Sequence, residues 1–455
     1  SNITPTLWTR SGNDYVRDGL TGRLGSPKEF GDTLITGAIN TSANKKLGND
    51  QSVFYAGSVN GGLYSRFYNE QTDTWSKEWT WESKPGSGYD GGQSIGAIAI
   101  SEDGKYLAVG RGNPSNYNAI GTAPYGIQIA RIKSDGSLAW LQTDPSIREA
   151  ISTLPIRDLE WSGTSLIAST EVGVLDLSVE HGEITQLATP LYLPSRFSAD
   201  RMPDNSVAVA GYFKDQDQLS NGIVLQREGQ TIPLSGEIYA NYIKSINENG
   251  SFISRISAYP ELINGNGVFF VGSFTEANGD SWVSRIDRIS IDLDSGEVKR
   301  VISSAIDRGL IGNNQASNLN LYGNFSLAAD PFDPRGRSVF AGGNTFGSSP
   351  GSQALTYSGG LVRIRLKGDS QENGDAIQSI SYLYGPRLEN NKDVLLPPAP
   401  GQPHADSRSI SFYHGQKSAK LIQTDDGGIW SIDLQLSGQG AKPKKGAWWM
   451  PLTPC

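Results

Sequence analysis

Short runs of alternating apolar and polar residues, separated by turns rich in Gly and Asp, recur along the whole chain. The clearest copy lies in residues 404–430. There Ile410 and Phe412 alternate with polar residues, and the turn 425–428, Asp-Asp-Gly-Gly, separates the two apolar runs that follow. A period of two is typical of half-buried strands, and an Asp-Gly turn supplies the positive φ of a tight hairpin. This stretch therefore predicts three short antiparallel strands.

The same unit of two strands, a turn and a third strand recurs seven times after residue 30. The second strands of the seven units end at Gly57, Gly110, Ser169, Gly211, Gly272, Gly342 and Thr424. The units are unevenly spaced, which propeller blades tolerate because their loops point into solvent, whereas solenoid repeats must keep their period. A run of β-sandwich domains and a β-helix are the alternatives, and neither is built from this unit.

The pattern therefore predicts an all-β fold, a seven-bladed β-propeller of four-stranded antiparallel blades. We expect residues 31–455 to form the ring, with 40–51 as a polar loop, and residues 1–30 to be an irregular lead-in that contributes to ring closure. Helical periodicity is nearly absent, and only residues 145–154 are expected to hold a short helix. Because an open ring leaves sheet edges unpaired, we expect residues 7–10 to pair with residues 447–452, the outer strand of the seventh blade.

Composition narrows the class of partner. The net charge is −8 and charged residues make up 19% of the chain, which disfavours nucleic acid or an anionic membrane as the main partner. No apolar run reaches the roughly 18 residues of a membrane helix, so the chain is not expected to span a membrane. Cys455 is the only cysteine and there are 3 histidines, so neither a disulfide framework nor a zinc site is expected.

The chain begins at Ser1 without a charged and apolar leader. We expect an exported protein, extracellular, periplasmic or at the cell surface, whose signal peptide has been removed. A place within a longer polypeptide or a larger assembly is a further expectation.

In a propeller the innermost strands converge on a central channel, and ligands commonly bind at its mouth. The candidate ligand-binding residues are the polar ones at the starts of the first strands: Arg157, Asp158, Arg196, Asp200, Arg255, Asp330, His404, Asp406 and Arg408. Four arginines from different blades predict an anion-binding ring, since guanidinium groups bind carboxylates in a bidentate manner. The alternative is that they pair with neighbouring aspartates and fill the channel with ion pairs.

Two Gly-bearing loops carry oxygen ligands at alternate positions, as calcium loops do. One contains Asp215 and Asp217, and the other contains Asp292 and Asp294. Both lack a full acidic set, and Asp turns of this kind also cap hairpins without a metal. A structural calcium is therefore an open expectation, and no other cofactor is expected.

Tryptophans cluster on the predicted outer strands, at Trp75, Trp79, Trp81, Trp448 and Trp449. Large aromatic side chains at such positions favour packing between blades. Stacking against a sugar is the secondary role expected of them.

Residues 54–64, 327–343 and 404–430 resemble repeats of the BNR/sortilin-like propeller superfamily. Its members include proteins with sialidase-type Asp-box repeats, sortilin-like receptors and xyloglucanase-type glycosidases. The Asp-box, Ser-x-Asp-x-Gly-x-Thr-Trp, is approximated at residues 424–430, one residue short. The resemblance implies a propeller; it implies little about activity, because these motifs lie on turns and strand ends that every blade requires.

A glycoside hydrolase needs two carboxylates at a defined separation, and no spacing in the sequence selects a pair. A sialidase needs an arginine triad and a tyrosine nucleophile, and Arg157, Arg196 and Arg255 with Tyr259 or Tyr413 form a conceivable set. Nucleophile elbows, P-loops and dinucleotide fingerprints are missing. We therefore expect an exported, non-enzymatic binding or scaffold module for a protein or glycan partner. The alternative is a glycoside hydrolase or lyase acting at the channel mouth.

Overall fold

The fold is a ring of seven antiparallel sheets around a central channel. The computed structural model describes residues 38–59, 61–112, 126–152, 154–170, 173–188, 198–215, 218–277, 280–306, 311, 314–315, 325–345, 359–367, 376–384, 388–389, 392–393, 407–425, 428–444 and 449–452. In each sheet the strands follow chain order from the channel outward. The predicted seven-bladed propeller is therefore confirmed.

The first three blades consist of the following strands. Blade 1 contains β1 (Ile39–Gly48), β2 (Gln51–Ser58), β3 (Leu63–Asn69), β4 (Thr74–Trp75) and β5 (Thr80–Trp81). Blade 2 contains β6 (Ile95–Ile100), β7 (Tyr106–Arg111), β8 (Ile127–Ile132) and β9 (Leu138–Trp140). Blade 3 contains β10 (Ile156–Ser162), β11 (Ser165–Thr170), β12 (Gly173–Glu180) and β13 (Glu183–Ala188).

The other four blades continue the same order. Blade 4 contains β14 (Ser198–Arg201), β15 (Val207–Asp215), β16 (Gln218–Arg227) and β17 (Gln230–Pro233). Blade 5 contains β18 (Ser251–Ala258), β19 (Gly267–Ala277), β20 (Asp280–Ile291), β21 (Val298–Ala305) and the short β22 (Asn314–Gln315). Blade 6 contains β23 (Ser326–Ala329), β24 (Ser338–Thr345), β25 (Gly359–Leu366) and β26 (Ile377–Tyr384), and is followed by a ribbon of β27 (Leu388–Glu389) and β28 (Lys392–Asp393). Blade 7 contains β29 (Ser409–His414), β30 (Ala419–Asp425), β31 (Gly428–Ser437), β32 (Gly440–Pro443) and β33 (Met450–Pro451).

Apolar packing closes the ring. The described residues contain seven separate apolar clusters, and each lies between one pair of adjacent blades. The cluster between blades 7 and 1 joins Phe54 and Trp79 to Tyr413 and Leu452. Because every blade buries both of its faces against neighbours, removing either end of the ring would expose apolar surface.

Glycine at the end of the second strand lets the next blade approach closely. A Cβ atom on Gly57 would lie 2.5 Å from Ile95 Cγ2, and one on Gly110 would lie 2.7 Å from Ile156 Cβ. Ile95 and Ile156 are the first residues of the inner strands β6 and β10. The recurring glycine that marks the units in the sequence is therefore a packing requirement at the seams between blades.

We expect Gly57→Ala to lower the free energy of unfolding by about 1–3 kcal/mol, because the added methyl group overlaps the buried Ile95 side chain. Gly438→Ala is the matched control, since Gly438 is exposed and no atom lies within 4 Å of an added Cβ. Chemical denaturation of both variants measures the difference. Equal stability of the two proteins would contradict this account of the glycine.

The structure contains a helix that the sequence prediction missed. The predicted short helix is present at Pro145–Ile151, where Asp144 accepts a hydrogen bond from the Ser146 N–H. A second helix, Glu237–Glu248, packs on blades 4 and 5 through Tyr239, Tyr242, Ile243 and Ile246. Those four residues follow the helical spacing, so the signal is in the sequence, although no side chain caps the helix at Gly236. No helix among the described ranges is long and apolar enough to cross a bilayer.

One predicted boundary, in blade 1, was wrong, and one in blade 7 is confirmed in part. Residues 39–48, predicted largely as loop, form the inner strand β1, which reads as polar because most of its side chains are only half-buried at the channel. Two segments form the outer edge of blade 7: β32 pairs with residues 434–437 of β31, and Met450–Pro451, within the predicted outer strand 447–452, pairs with Trp430 and Ser431 near its start. The lead-in, residues 1–30, and the expected partner strand at residues 7–10 lie outside the described residues.

The seam between blades 7 and 1 is also held by hydrogen bonds. The Leu452 carbonyl accepts from Trp79 Nε1 at 2.6 Å and from Arg66 Nη1 at 2.9 Å. On the turn of blade 7, the backbone N–H groups of Lys417 and Ser418 donate to Glu70 Oε1. The C-terminal segment thus joins the last blade to the first.

Candidate functional site

Four inner strands carry a β-bulge, at the second residue of β1, β6 and β10 and at the fourth residue of β18. The bulged residues are Asn40 in β1, Gly96 in β6, Arg157 in β10 and Ser254 in β18. A bulge adds one residue to one strand of a pair and changes the direction of its side chain. At one end of the channel, the bulges of blades 1, 2 and 3 therefore contribute residues to a common surface.

These strand starts surround a cavity of about 110 Å³. We call it the channel-mouth cavity, and it is lined by Asn40, Thr41, Gly96, Ala97, Ile98, Arg157, Asp158, Arg255, Arg408 and Ser409. The structure thus places four of the residues predicted from sequence, Arg157, Asp158, Arg255 and Arg408, on one cavity.

Two of these arginines are held by carbonyl groups of neighbouring chain segments. Arg157 Nη2 donates to the Ser254 carbonyl at 2.8 Å, which joins blade 3 to blade 5. Arg255 Nε donates to the Phe325 carbonyl at 2.9 Å, next to blade 6. Each bond occupies one of the five N–H donors of a guanidinium group. Both side chains are therefore fixed in position before any ligand arrives.

The third arginine is held through blades 1 and 2. Arg408 Nη1 donates to Asn40 Oδ1 at 2.7 Å, and Asn40 Nδ2 donates to the Ile95 carbonyl at 2.7 Å. The three guanidinium groups come from blades 3 and 5 and from the residue preceding blade 7. They concentrate positive charge in one small space of a protein whose net charge is −8.

Two carboxylates of the inner strands bind the backbone of the next blade. Asp158 Oδ2 accepts from the Ala199 N–H at 3.1 Å, and Asp200 Oδ2 accepts from the Ala258 N–H at 2.6 Å. These bonds connect blade 3 to blade 4 and blade 4 to blade 5. The same aspartates therefore help to hold the ring together and place titratable carboxyl groups in the channel.

Burial in the channel makes these carboxyl groups hard to ionise. Burial raises the pKa of Asp158 to about 6, although the Ala199 N–H, Arg255 and Arg157 act in the opposite direction. Burial, together with the charge of Asp158, raises the pKa of Asp200 to about 7 against the Ala258 hydrogen bond. Glu160 shares this environment, and burial followed by the charges of both aspartates raises its pKa well above the usual range.

The free energy of unfolding is expected to fall as the pH rises from about 4 to about 7. The folded-state pKa values of about 6 and about 7 lie above the roughly 3.9 of an aspartate in an unfolded chain. Between these limits the folded protein binds more protons than the unfolded chain, so the free energy of unfolding decreases with rising pH.

Asp200→Asn should flatten that dependence between pH 4 and 7, because the amide oxygen still accepts from Ala258 but does not titrate. Thermal unfolding at pH 5, 6, 7 and 8 measures this pH dependence of stability. Asp135→Asn, on an exposed turn, is the control. Hydrogen bonds from Ser137 lower the pKa of Asp135. Removing its carboxyl group should therefore change the pH dependence of stability only below this pH range. An unchanged pH profile in Asp200→Asn would contradict the assignment.

Comparisons with solved structures support the architecture. The chain is similar to the structure of an ancestral GH74 enzyme, with a TM-score of 0.51 and 12% identity over 91% of this chain and 46% of that chain. It is also similar to the extracellular domain of a candidate hybrid two component system from B. thetaiotaomicron, with a TM-score of 0.47 and 14% identity over 92% of this chain and 40% of that chain. The likeness to the GH74 enzyme, at 12% identity, shows the fold alone.

A third similar structure is the β-propeller domain of Vanderwaltozyma polyspora Nup133, with a TM-score of 0.46 and 10% identity over 86% of this chain and 99% of that chain. The chain spans less than half of the length of the first two proteins. No protein-family model and no curated protein matches the sequence. The resemblance to BNR/sortilin-like repeats is therefore supported at the level of the propeller alone.

The structure describes only some of the other predicted ligand-binding residues. Arg196, His404 and Asp406 lie outside the described residues. Asp330 follows the last residue of β23, where it accepts from the Ala441 N–H at 2.9 Å and pairs with Arg363 at 3.4 Å. Asp330 thus connects blade 6 to blade 7 and does not line the cavity.

The tyrosines proposed as sialidase nucleophiles are core residues. Tyr259 belongs to the cluster between blades 5 and 6, and Tyr413 to the cluster between blades 7 and 1. Tyr413 packs against Phe54 and Tyr68 with ring centroids 5.7 and 5.5 Å apart. The structure places neither hydroxyl among the groups that line the channel-mouth cavity.

The structure fully describes only one of the two predicted calcium loops. Asp292 Oδ1 accepts from the backbone N–H groups of Asp294 and Ser295 at 3.0 and 2.9 Å, and so caps the turn between β20 and β21. Asp217 and the side chain of Asp215 lie outside the described part of the chain. Within that part, no group of three or more His, Cys, Asp or Glu residues is arranged to hold a metal ion. Calcium binding stays a prediction.

Sequence reasoning missed the bulges and Glu160. In each bulged strand an isoleucine is followed by the bulged residue, as in Ile39-Asn40, Ile95-Gly96, Ile156-Arg157 and Ile253-Ser254. The next ladder position then comes two residues later, so the alternation is broken at the same place in four units. That break in period is a signal that the sequence contains.

Proposed function

We propose that this propeller is an exported, non-enzymatic binding module that takes a carboxylate group of a glycan or protein partner into the channel-mouth cavity. The observation that carries the proposal is the convergence of Arg157, Arg255 and Arg408 on one small cavity. Planar guanidinium groups bind carboxylates with charge-assisted hydrogen bonds, and clefts of one sign concentrate ligands of the other.

The size of the cavity limits the ligand group. At about 110 Å³, it is smaller than the roughly 300–1,000 Å³ of typical small-molecule sites. It therefore suits a small group such as a single carboxylate. We therefore propose that the rest of the partner lies outside the cavity, on the loops around the mouth.

Asp158 gives the proposed binding a pH dependence. Because its pKa is raised to about 6, it is neutral at pH 5 and charged at pH 7.5. A negative charge on the lining of the cavity repels an anionic ligand. Affinity for a carboxylate should therefore be higher at pH 5 than at pH 7.5.

A glycan array that contains acidic and neutral members tests the proposal. We expect the protein to retain glycans that carry uronic or sialic acid groups, with more retained at pH 5 than at pH 7.5. Methyl esterification of the same glycans should abolish retention, because it removes the charge and leaves the sugar. Equal retention of the acid and its methyl ester would exclude the arginine cavity as the binding site.

The raised pKa values of Asp158 and Asp200 favour a second candidate function, a glycoside hydrolase. A carboxyl group whose pKa lies close to the working pH is suited to act as a general acid. Measuring the release of reducing sugar from a panel of polysaccharides tests for hydrolase activity. If the protein hydrolyses a polysaccharide, and Asp158→Asn loses this activity but keeps the melting temperature of the parent, the protein is an enzyme and not a binding module.

A further inference from the structure

A second recess lies at the seam between blades 7 and 1, away from the channel mouth. We call it the seam groove, and it has a volume of about 310 Å³. It is lined by Arg66, Asp73, Thr74, Trp75, Lys420, Ser431, Asp433 and Met450. This volume lies at the lower end of the range of small-molecule sites, about 300 Å³ and above.

The two cations of the seam groove are bound to the protein. Lys420 Nζ lies 2.5 Å from Asp433 Oδ1 and 3.9 Å from Asp73 Oδ1. Arg66 Nη1 donates to the Leu452 carbonyl at 2.9 Å. The Lys420 side chain is only 5% exposed, so its charge acts mainly to balance the two carboxylates.

The carboxylates, in contrast, face solvent. The side chain of Asp73 is 71% exposed and that of Asp433 is 43% exposed. Each carboxylate has two oxygens and accepts several hydrogen bonds. The groove therefore offers strong acceptors in a lining whose formal charges, two positive and two negative, cancel.

One wall of the seam groove is aromatic and apolar. Trp75 is half-buried, and its ring packs on Phe54 and Tyr68 with centroids 4.7 and 4.8 Å apart. These contacts fix the indole while part of it lines the groove. Met450, 38% exposed, adds apolar surface beside it.

We propose that the seam groove binds a neutral oligosaccharide. A sugar ring presents hydroxyl donors to the exposed carboxylates and an apolar C–H face to the indole. A cationic ligand would meet the positive charges of Arg66 and Lys420, and an anionic ligand would meet Asp73 and Asp433. A neutral, polyhydroxylated ligand disturbs neither pair. This site is independent of the carboxylate site at the channel mouth.

Titration calorimetry with cellotetraose, xylotetraose and mannotetraose tests the proposal on the intact chain. We expect at least one of them to bind with a Kd below about 1 mM. Trp75→Phe should weaken that binding about 2- to 10-fold, because it removes part of the aromatic surface. Asp73→Asn should also weaken it, because a neutral amide forms weaker hydrogen bonds than a carboxylate.

Trp140→Phe is the matched control. Trp140 is a half-buried tryptophan on the outer strand of blade 2, packed on Tyr89 at 4.7 Å, and it lies outside the groove. It should leave affinity unchanged, as should the channel variant Arg408→Gln. Failure of all three sugars to bind, or equal weakening by Trp75→Phe and Trp140→Phe, would overturn the proposal.

Discussion

Trp79→Ala is expected to lower the free energy of unfolding by about 3–5 kcal/mol, the range for truncating a large buried aromatic residue. Trp79 is 1% exposed and packs in the cluster that closes the ring between blades 7 and 1. Its indole N–H also donates to Leu452 at 2.6 Å. The substitution therefore leaves a cavity at the seam between blade 7 and blade 1.

Two comparisons make this prediction specific to the seam. Trp79→Phe keeps an aromatic ring there, and Arg66 still donates to the Leu452 carbonyl, so its loss should be clearly smaller. Trp81→Ala removes a tryptophan that is only half-buried and should cost less than Trp79→Ala. Denaturant unfolding of the three variants gives the order. If Trp79→Ala cost no more than Trp81→Ala, the seam would not depend on this residue.

Arg255→Gln is expected to weaken the binding of an acidic glycan about 10- to 100-fold. A hydrogen bond to a charged group contributes about 1.5–3 kcal/mol, which corresponds to that change in Kd. Glutamine can still donate one hydrogen bond but carries no charge. Calorimetry with an oligogalacturonate and a sialyllactose gives the affinities.

The arginine variants need a control for a merely structural effect. Arg408→Gln should weaken binding in the same way as Arg255→Gln. Arg201→Gln should not, because Arg201 also lies on an inner strand but pairs with Glu102 at 3.0 Å and does not line the cavity. If the parent protein and the Arg255 and Arg408 variants bound the glycan with equal affinity, the arginines would have only a structural role in the ring.

The sequence predicts the blades well because their pattern comes from local chemistry. In β31, for example, apolar and polar residues alternate from Ile432 to Leu436, and the turn before this strand contains Asp and Gly. Gly57 and Gly110 mark the ends of the second strands because the next blade leaves no room for a Cβ atom. These signals do not depend on distant parts of the chain.

The inner strand β1 and the helix Glu237–Glu248 show where such reasoning fails. β1 faces the channel rather than a dry core, so its residues 40–45 are half-buried and the apolar alternation is lost. The helix buries only Tyr242 and Ile246 fully. Its helical spacing is visible in the sequence, but its stability depends on packing against blades 4 and 5, which that spacing does not specify.

Only part of the channel-mouth cavity could be predicted from the sequence. Arg157 and Arg408 could be assigned to the channel mouth because Arg157 is the second residue of β10 and Arg408 directly precedes β29. Arg255 was assigned there too, but it is the fifth residue of β18 and reaches the cavity directly after the bulge at Ser254. Asp330 was expected there too, but it lies past the end of a four-residue strand and binds Ala441 of the next blade. Positions along a strand set which end of the channel a side chain reaches, and short strands leave that ambiguous.

The most direct measurement of the central claim is a crystal structure of the propeller grown at pH 5 with an oligogalacturonate. The account predicts one carboxylate in the channel-mouth cavity, within hydrogen-bond distance of Arg157, Arg255 and Arg408. Asp158 should keep its bond to Ala199, since the ligand needs no rearrangement of the ring. An oligogalacturonate bound elsewhere, with the three arginines in contact only with protein groups, would contradict it.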